Sequence, residues 1–503
     1  MANRVRSLKD TRQGHAPGTG VPGYGELMKS TTMRLVFGTL FYANCLTFAC
    51  GQAEVERRND FLHPRPFLQI PGPNPILTPG EPGTWDSNVV ETGDAFKDFG
   101  TYYLYYHATG PAGGYQTGVA TSSHPLGPFT KLGDEPVLPL GPKGSWDAGH
   151  TACAMVLKEG TDRYLMWYSG MGDSAEHEKW GVGLATASAP EGPWTKHPQN
   201  PLLEHFGYVG GVVKVNGEYR LYTAHPIGST APDFSPISLA TADTPEGPWE
   251  IHAGNPVMRQ GEWSEWDSGG YSEGEVLFHG GLFHMFYGGS KTYDPRILTR
   301  ESIGYAYSRN GVQWTKYGGN PVATREAEPN AAAYAEVHAI IEPPFIYLYH
   351  TLRYKNSWRE RFRDAFPVVE DLGMQILVMQ RPFRLDMPLL HKEALAAGTT
   401  TSLRRDKSPI IALNHVTSAS ITVQCTYATR STFGIRLHVR SSADGADFDT
   451  EDLFTWEPRF RPKESVQQTF SFQPTVKFIK VLVENLDTRE NVTDLKLTAT
   501  LGG

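Results

Sequence analysis

Cysteine is scarce in this chain, since only four occur among its 503 residues. Cys45 and Cys50 lie in an apolar N-terminal segment, whereas Cys153 and Cys425 lie in what we read as separate domains. This distribution excludes a disulfide framework, and no Cys/His spacing typical of a zinc site occurs. We expect Cys153 and Cys425 to be buried as small apolar residues.

Long basic runs and helical periodicity are also lacking. Lys and Arg number 46 against 54 Asp and Glu, for a net charge of −8. Without a cationic stretch to neutralise phosphates, nucleic acid is not expected as a partner. The lack of a convincing 3.6-residue period argues against helical repeats and indicates an all-β protein.

The N-terminus resembles an export signal with an extension in front of it. Lys29 and Arg34 precede an apolar run of signal-peptide length that ends in small residues. We predict a disordered upstream extension over residues 1–27, a start of translation at Met28 or Met33, and a signal peptide over residues 28–51. The protein is then secreted or periplasmic, without a membrane span.

Two alternatives for this segment stay open. It could form an ordered N-terminal helix of the mature protein. Ala49-Cys50-Gly51 could instead be a lipoprotein cleavage site, which would anchor Cys50 through lipid at the outer surface.

A repeat of about sixty residues organises the middle of the chain. Each unit has an aromatic hairpin, a small-residue strand and a short outer strand, and it closes on a proline. The phrase Trp-Asp opens three units, at Trp85-Asp86, Trp146-Asp147 and Trp266-Asp267. Four short strands per unit and five closing prolines predict a five-bladed β-propeller over residues 62–390.

The last hundred residues have a different pattern. Segments such as those beginning at Ala419, Phe433 and Phe478 alternate apolar and polar residues between turns. We predict a β-sandwich accessory domain over residues 400–503, packed against the propeller. A carbohydrate-binding role and a structural role both stay open for it.

Polar residues at the blade openings are expected to converge in the central channel of a propeller. The candidates are Asp86 and Asn88 in the first blade, Asp147 and His150 in the second, and Tyr208 in the third. The fourth blade offers Asp267, Glu273 and Glu275, and the fifth offers Glu336 and His338. An Asp after Trp can also cap a turn through its own backbone, and that alternative stays open for the three Trp-Asp aspartates.

At these residues the chain resembles the five-bladed glycoside hydrolases of family 43, the arabinanase and β-xylosidase type, and their relatives in families 32, 68, 117 and 130. In family 43 the first blade opens with Asp-Pro-x-Val before a Tyr-Tyr-Leu hairpin. Here Asp86-Ser87-Asn88-Val89 precedes Tyr102-Tyr103-Leu104, with serine in place of the proline. A later blade of the family opens with Glu-Gly-Pro, and Glu273-Gly274-Glu275 occupies that position.

The resemblance implies a secreted glycosidase that cleaves a poly- or oligosaccharide with inversion. It implies that Asp86 is the general base and Glu273 the general acid, because acetal cleavage needs one ionised and one protonated carboxyl group. The family's third carboxylate is missing, since Gly207-Tyr208-Val209-Gly210 stands in its place. Asp147, Asp267 or Glu336 are the candidates to replace it.

The resemblance also bears on metal and sugar binding. His338 corresponds to a fifth-blade histidine that lies near a central metal, usually calcium, in family 43, and it could instead be a hydrogen-bonded or catalytic residue. No other cofactor is expected. Aromatic residues at the openings are candidates to stack on sugar faces, among them Trp85, Tyr115, Trp180, Tyr208, Tyr271 and Tyr293.

Two other functions stay open. One is a glycoside phosphorylase of the family 130 type, for which Arg296, Arg300 and the basic run at Arg353 are the only candidate phosphate ligands. The other is a noncatalytic glycan-binding propeller, which the missing third carboxylate favours.

Overall fold

The computed structural model describes residues 67–173, 180–224, 236–289, 302–325, 331–354, 370–402 and 408–503, apart from the side chains of Glu273, Ala332 and Tyr354. These residues belong to one compact unit, Arg58–Gly503. In these ranges the regular structure is β-strand without an α-helix, which confirms the predicted all-β class. The predicted extension over residues 1–27 and the predicted signal peptide over residues 28–51 lie outside the described residues.

Strand β1 covers Leu68–Pro71, and the chain then forms five antiparallel groups of strands in succession, which we call sheets 1 to 5. Sheets 4 and 5 are joined into one nine-stranded sheet by a parallel pairing of Gly274 with Val337. Sheet 1 contains β2 (Val89–Asp98), β3 (Thr101–Thr109), β4 (Gln116–Ser122) and β5 (Thr130–Lys131). Sheet 2 contains β6 (His150–Lys158), β7 (Tyr164–Met171), β8 (Trp180–Ala187) and β9 (Thr195–Lys196), with β10 (Leu203–Glu204) also paired to β8. Sheet 3 contains β11 (Tyr208–Val215), β12 (Glu218–Ala224), β13 (Ser238–Ala242) and β14 (Glu250–Ile251).

Sheets 4 and 5 follow the same order. Sheet 4 contains β15 (Tyr271–His279), β16 (Leu282–Gly289), β17 (Ser302–Ser308) and β18 (Thr315–Lys316), with β19 (Ala323–Thr324) also paired to β17. Sheet 5 contains β20 (Ala331–Glu342), β21 (Phe345–Tyr354) and β22 (Glu370–Val378), and β1 is its fourth strand. The earliest described strand therefore completes the last sheet of the series.

The first strands of the five sheets pack against one another in a circle. Their order is β2, β6, β11, β15 and β20, and β20 packs back against β2. Each of the five strands loses register with its hairpin partner at least once, and β20 does so at two points. Such irregularities redirect side chains, so residues near them in five distant segments can face a common axis.

The recurring tryptophan of the repeat packs against a glycine on the third strand of the sheet that follows it. The pairs are Trp85 with Gly118, Trp146 with Gly183 and Trp266 with Gly304, and a Cβ added to each glycine would lie 2.9, 2.7 and 2.6 Å from the indole ring. A side chain at any of these glycines would collide with the ring. The tryptophan and the small-residue strand therefore recur together, because the indole ring fits only over a glycine.

A repeated contact of one acid, one lysine and one tyrosine joins neighbouring sheets. The acid lies at the hairpin of one sheet, and the lysine and tyrosine face each other across the hairpin of the next. The three sets are Glu342 with Lys97 and Tyr102, Asp98 with Lys158 and Tyr164, and Glu159 with Lys214 and Tyr219. The first set joins sheet 5 to sheet 1, so it also helps to close the circle.

Two further sheets make up the C-terminal region. Sheet 6 contains β23 (Arg384–Leu395), β25 (Ser418–Tyr427), β28 (Ser465–Phe472) and β30 (Val492–Gly502), and sheet 7 contains β24 (Ile411–Ala412), β26 (Ile435–Ser442), β27 (Phe454–Trp456) and β29 (Phe478–Asn485). Alternate residues of both sheets enter one hydrophobic cluster that continues into sheets 1 and 5. Because β23 pairs with β30, the C-terminal sheets include residues before position 400.

Replacement of Gly118 by alanine should destabilise the protein. The new methyl group would meet Trp85 and Tyr106 at less than 3 Å, so the free energy of unfolding should fall by about 1–3 kcal/mol, as for an overpacked core. Gly318→Ala is the matched control, because no atom lies within 4 Å of the added Cβ. Equal urea-denaturation midpoints for the two variants would contradict this account of the repeat.

Candidate active site

The three Trp-Asp aspartates occupy the same place in three copies of one turn. Each turn is closed by a hydrogen bond from a glycine N–H to the aspartate C=O, and each buried carboxylate contacts a tyrosine of the second strand and a lysine of the outermost strand. The partners are Tyr106 and Lys131 for Asp86, Tyr168 and Lys196 for Asp147, and Tyr287 and Lys316 for Asp267. Each aspartate therefore links the turn that precedes the first strand to the second and outermost strands of the same sheet.

The contacts of Asp86 are those of an ion-paired turn residue. Its carboxylate accepts hydrogen bonds from Lys131 at 2.5 Å and Thr84 at 2.8 Å. Burial raises the pKa of Asp86, but the hydrogen bonds from Lys131 and Thr84 and the charge of Lys131 outweigh it and lower the pKa overall. Asp86 thus has the same kinds of partner as Asp147 and Asp267.

A second group of carboxylates gathers around the guanidinium of Arg353 on β21. Its Nε donates to Glu370 on β22 at 3.0 Å, and its Nη2 lies 3.5 Å from Glu336 on β20. The same Nη2 lies 3.6 Å from Oε1 of Glu91 on β2. Sheets 1 and 5 thus share one buried cation among three acids.

Glu91 has further partners within sheet 1. His107, its hairpin partner on β3, contacts Oε2 of Glu91 at 3.1 Å, and the hydroxyl of Tyr115 donates to Oε1 at 3.3 Å. Burial raises the pKa of Glu91, but the hydrogen bond and charge of His107 and the charge of Arg353 outweigh it, so the pKa lies well below its ordinary value. Glu91 is therefore an ionised carboxylate held at the start of a first strand.

The other acids of this group differ from Glu91. Burial, together with the nearby Glu91 carboxylate, raises the pKa of Glu370 to about 8 against the charge of Arg353. Glu336 lies at the second irregular point of β20 with φ of 44°. Its Oε2 is buried without a hydrogen-bond partner among the described residues, and a left-handed backbone in a non-glycine residue is strain that clusters at functional sites.

Half-buried rings extend from this group across sheets 1 to 3. Tyr115 lies against His150 with ring centres 4.8 Å apart, and His150 is followed by Tyr208 at 6.4 Å. The predicted residues His150 and Tyr208 thus lie near each other, and Tyr115 links them to Glu91. Asn88 is half-buried just before β2.

Glu273 lies at the irregular point of β15, between Tyr271 and Gly274. This position corresponds to that of Glu336 in β20. The side chain of Glu273 is outside the described residues. Tyr271, predicted to bind substrate, is instead buried with its hydroxyl donating to Asp267 at 3.1 Å.

A third group lies further along the first strands. Asp94 of β2, Glu275 of β15 and His338 of β20 are buried, with one possible ligand atom from each within 4.8 Å of the others. Oε2 of Glu275 contacts His338 Nδ1 at 2.9 Å and accepts from the Ala339 N–H at 3.0 Å. Oδ2 of Asp94 accepts from the Val156 N–H at 2.7 Å. Sheets 1, 4 and 5 therefore meet at this group.

Burial controls the protonation of this third group. It raises the pKa of Asp94 to about 7, with the charge of Glu275 adding to the effect. It also raises the pKa of Glu275 well above its ordinary value and lowers that of His338 to about 4. The two carboxyl groups are shifted toward their protonated forms, so a cation bound here would have to displace their protons, whereas His338 is shifted toward the neutral form that binds a metal.

The donor set fits some cations better than others. Two carboxylates and one imidazole suit zinc or another first-row transition metal. Calcium takes six to eight oxygen ligands, more than Asp94 and Glu275 supply alongside the His338 nitrogen. The residues therefore fit a transition-metal ion better than the predicted calcium.

Sequence reasoning missed Glu91, Asp94, His107 and Glu370. A signal for Glu91 was present, because Glu91 and Glu273 precede their hairpin glycines, Gly100 and Gly281, by nearly the same number of residues. A cavity of about 720 Å³ near β1 and residues 412–415 has no carboxylate in its lining and is separate from these groups.

No protein-family model matches this chain, and no curated protein matches it. Solved structures similar to it are glycoside hydrolases. One described as a glycoside hydrolase has 16% identity and a TM-score of 0.47 over 65% of this chain and 95% of its own. A family 117 glycoside hydrolase from the marine bacterium Zobellia galactanivorans has 14% identity and a TM-score of 0.44 over 63% and 91%.

A family 32 β-fructofuranosidase from Bombyx mori has 12% identity and a TM-score of 0.44 over 89% of this chain and 96% of its own. TM-scores below 0.5 describe loose matches, so the roles of individual residues rest on the geometry above. Within the described ranges, no helix is long and apolar enough to cross a membrane.

Replacement of Glu370 by glutamine should flatten the pH dependence of stability. The raised pKa of Glu370 means that its contribution is full below the unfolded value near 4.5 and is lost as the pH rises through about 8. Between these limits the group lowers the free energy of unfolding by at most about 1.4 kcal/mol per pH unit. Urea denaturation from pH 5 to 8 should give a smaller slope for Glu370→Gln, and unchanged slopes would contradict the assignment.

Proposed function

We propose that this protein is a secreted glycoside hydrolase with its active site where the first strands of the five sheets meet. The observation that carries the proposal is the contact of Glu91 and Glu336, from sheets 1 and 5, with the same nitrogen of Arg353. Glycoside cleavage needs carboxyl groups whose pKa values are pushed apart. The opposite shifts of Glu91 and Glu370 are of that kind.

In this proposal sheets 1 to 5 are the blades of a five-bladed propeller, and sheets 6 and 7 form a β-sandwich. The circle of contacts between first strands supports the first statement. The shared hydrophobic cluster and the alternating burial of β25 and β26 support the second. The leader over residues 28–51 is proposed to direct export, with lipidation of Cys50 as the alternative.

We assign the role of general base to Glu91 in place of Asp86. Glu91 is ionised, belongs to the first strand of sheet 1 and lies beside the half-buried Tyr115, whereas the carboxylate of Asp86 is bound to a lysine on the outermost strand. Glu273 keeps the role of general acid because its position on β15 corresponds to that of Glu336 on β20. Inversion at the anomeric carbon remains part of the proposal.

Glu336 is proposed as the third carboxylate, which orients the acid and tunes its pKa. Its strained backbone and its unpartnered Oε2 leave one oxygen available for the substrate or for the acid. Tyr115, His150 and Tyr208 provide a half-buried wall on which a sugar ring can lie.

Phosphorolysis receives less support than hydrolysis. Three carboxylates surround Arg353, so its charge is already balanced. Arg296 and Arg300 lie outside the described residues. Dependence of turnover on inorganic phosphate would nevertheless replace hydrolysis by phosphorolysis in this proposal.

Glu91→Gln and Glu273→Gln should each lower kcat by at least about a hundredfold, because each removes one partner of acid–base catalysis. The sugar released from arabinan, xylan and agarose, and from nitrophenyl furanosides and pyranosides, is the measurement. Asp86→Asn and Asp147→Asn are matched controls, which should lose about 1–3 kcal/mol of stability while the folded fraction keeps its turnover. Loss of activity in Asp86→Asn with full activity in Glu91→Gln would reverse our assignment of the base.

We further propose that Asp94, Glu275 and His338 bind a divalent transition-metal ion that joins sheets 1, 4 and 5. Zinc or manganese added to chelated protein should raise the melting temperature more than calcium does, with about one ion bound per chain by elemental analysis. His338→Ala should remove both effects. A calcium-specific rise would restore the original expectation, and no bound ion would leave a metal-free hydrogen-bonded cluster.

A further inference from the structure

One tryptophan, Trp263, is almost completely exposed. Its fractional exposure is 89%, whereas the other tryptophans of the described ranges are buried or half-buried. An exposed indole gives up the burial free energy that a tryptophan normally contributes to folding. The exposed ring is therefore open to contact with a ligand.

The repeat supplies an internal comparison for this position. Trp263 belongs to the turn Gly261–Asp267, and the equivalent turns are Gly80–Asp86 and Gly141–Asp147. All three are closed by the glycine N–H to aspartate C=O hydrogen bond, at 3.4, 3.0 and 3.1 Å. The positions equivalent to Trp263 hold Pro82 and Lys143, both exposed. The turn therefore forms without an aromatic residue, and its construction does not explain Trp263.

The turn that carries Trp263 is held firmly against sheet 4. Asp267 is bound by Lys316 at 2.8 Å and by the hydroxyl of Tyr271 at 3.1 Å. The glycine at its start lies so close to Asp267 that an added Cβ would be 2.2 Å from the carboxylate. An indole on such a turn is displayed from a fixed base, which lowers the entropic cost of binding.

The turn also lies at the edge of the sheets where the first strands begin. It leads directly into β15, whose first residues include Tyr271 and Glu273. The equivalent turns lead into β2, which carries Glu91, and into β6, which begins at His150. Trp263 is therefore on the rim of the edge at which the first strands begin, on the sheet of the proposed acid.

We propose that Trp263 is a sugar-stacking residue of a subsite outside the central carboxylate group, and that the substrate is a polysaccharide long enough to reach it. The inference rests on the proposed function. The indole offers a flat apolar face to the C–H face of a sugar ring, while water solvates the sugar hydroxyls at the rim. A monosaccharide glycoside bound at the central group would not need this contact.

Trp263→Ala should raise KM for the polysaccharide that the wild-type protein cleaves by about three- to tenfold, as for the loss of one aromatic contact. The value of kcat on that polysaccharide, and kcat/KM on the nitrophenyl glycoside of its terminal sugar, should stay unchanged. Trp263→Phe should restore most of the affinity. Lys143→Ala, at the equivalent position of sheet 2, is the matched control and should leave every constant unchanged.

Binding is measured separately by retardation in native gels cast with arabinan, xylan or agarose. Retardation of the wild-type protein that is lost in Trp263→Ala supports the inference even where no sugar is released, and only the proposed hydrolysis then fails. Equal KM values, or equal retardation of wild type and Trp263→Ala, would overturn it. So would a wild-type protein that neither cleaves nor is retarded by any of the three polymers.

Discussion

The charge of Arg353 is the constraint on which the centre of this molecule depends. A guanidinium stays protonated when buried, so its charge must be balanced by nearby acids. Burial lowers the pKa of Arg353, but the carboxylates of Glu370, Glu336 and Glu91 outweigh it and raise the pKa above its ordinary value. Glu91 comes from the first sheet of the series, while the other two acids come from the last. The balance of charge is thus complete only when the circle of sheets is closed.

Other contacts also join sheets 5 and 1. The Thr92 N–H donates to the hydroxyl of Thr351 at 3.0 Å, beside Glu91 on β2. At the hairpin ends, Glu342 binds Lys97 and Tyr102. The candidate site therefore lies across the join between the beginning and the end of the repeat. The interactions that hold the circle and those that prepare the carboxyl groups belong to one network, which explains why so many of its members are buried charges rather than apolar side chains.

Much of the fold could be predicted from the sequence because the repeat consists of short sequence patterns. The tryptophan and the glycine beneath it, the aromatic hairpins and the short outer strands all recur at matching offsets. The candidate site was harder to predict, because strand register and burial determine which residues from different sheets come together. The sequence around Asp86 predicted a general base, yet its carboxylate meets a lysine 45 residues later on the outermost strand. Glu91 is marked in the sequence only by its distance from the hairpin glycine Gly100, and the approach of Arg353 from sheet 5 is what distinguishes it in the structure.

The membership of β1 in sheet 5 has a consequence for how the chain is made. Leu68 pairs with Val378, and Pro71 pairs with Gln375, so a strand made early finds its partner only after some three hundred further residues have been synthesised. Sheets 1 to 4 can form as they emerge, since each draws its strands from one continuous segment, whereas sheet 5 waits for both ends. During that interval β1 is an unpaired strand. Completion of the circle is therefore the last step in which the two halves of the candidate site can come together.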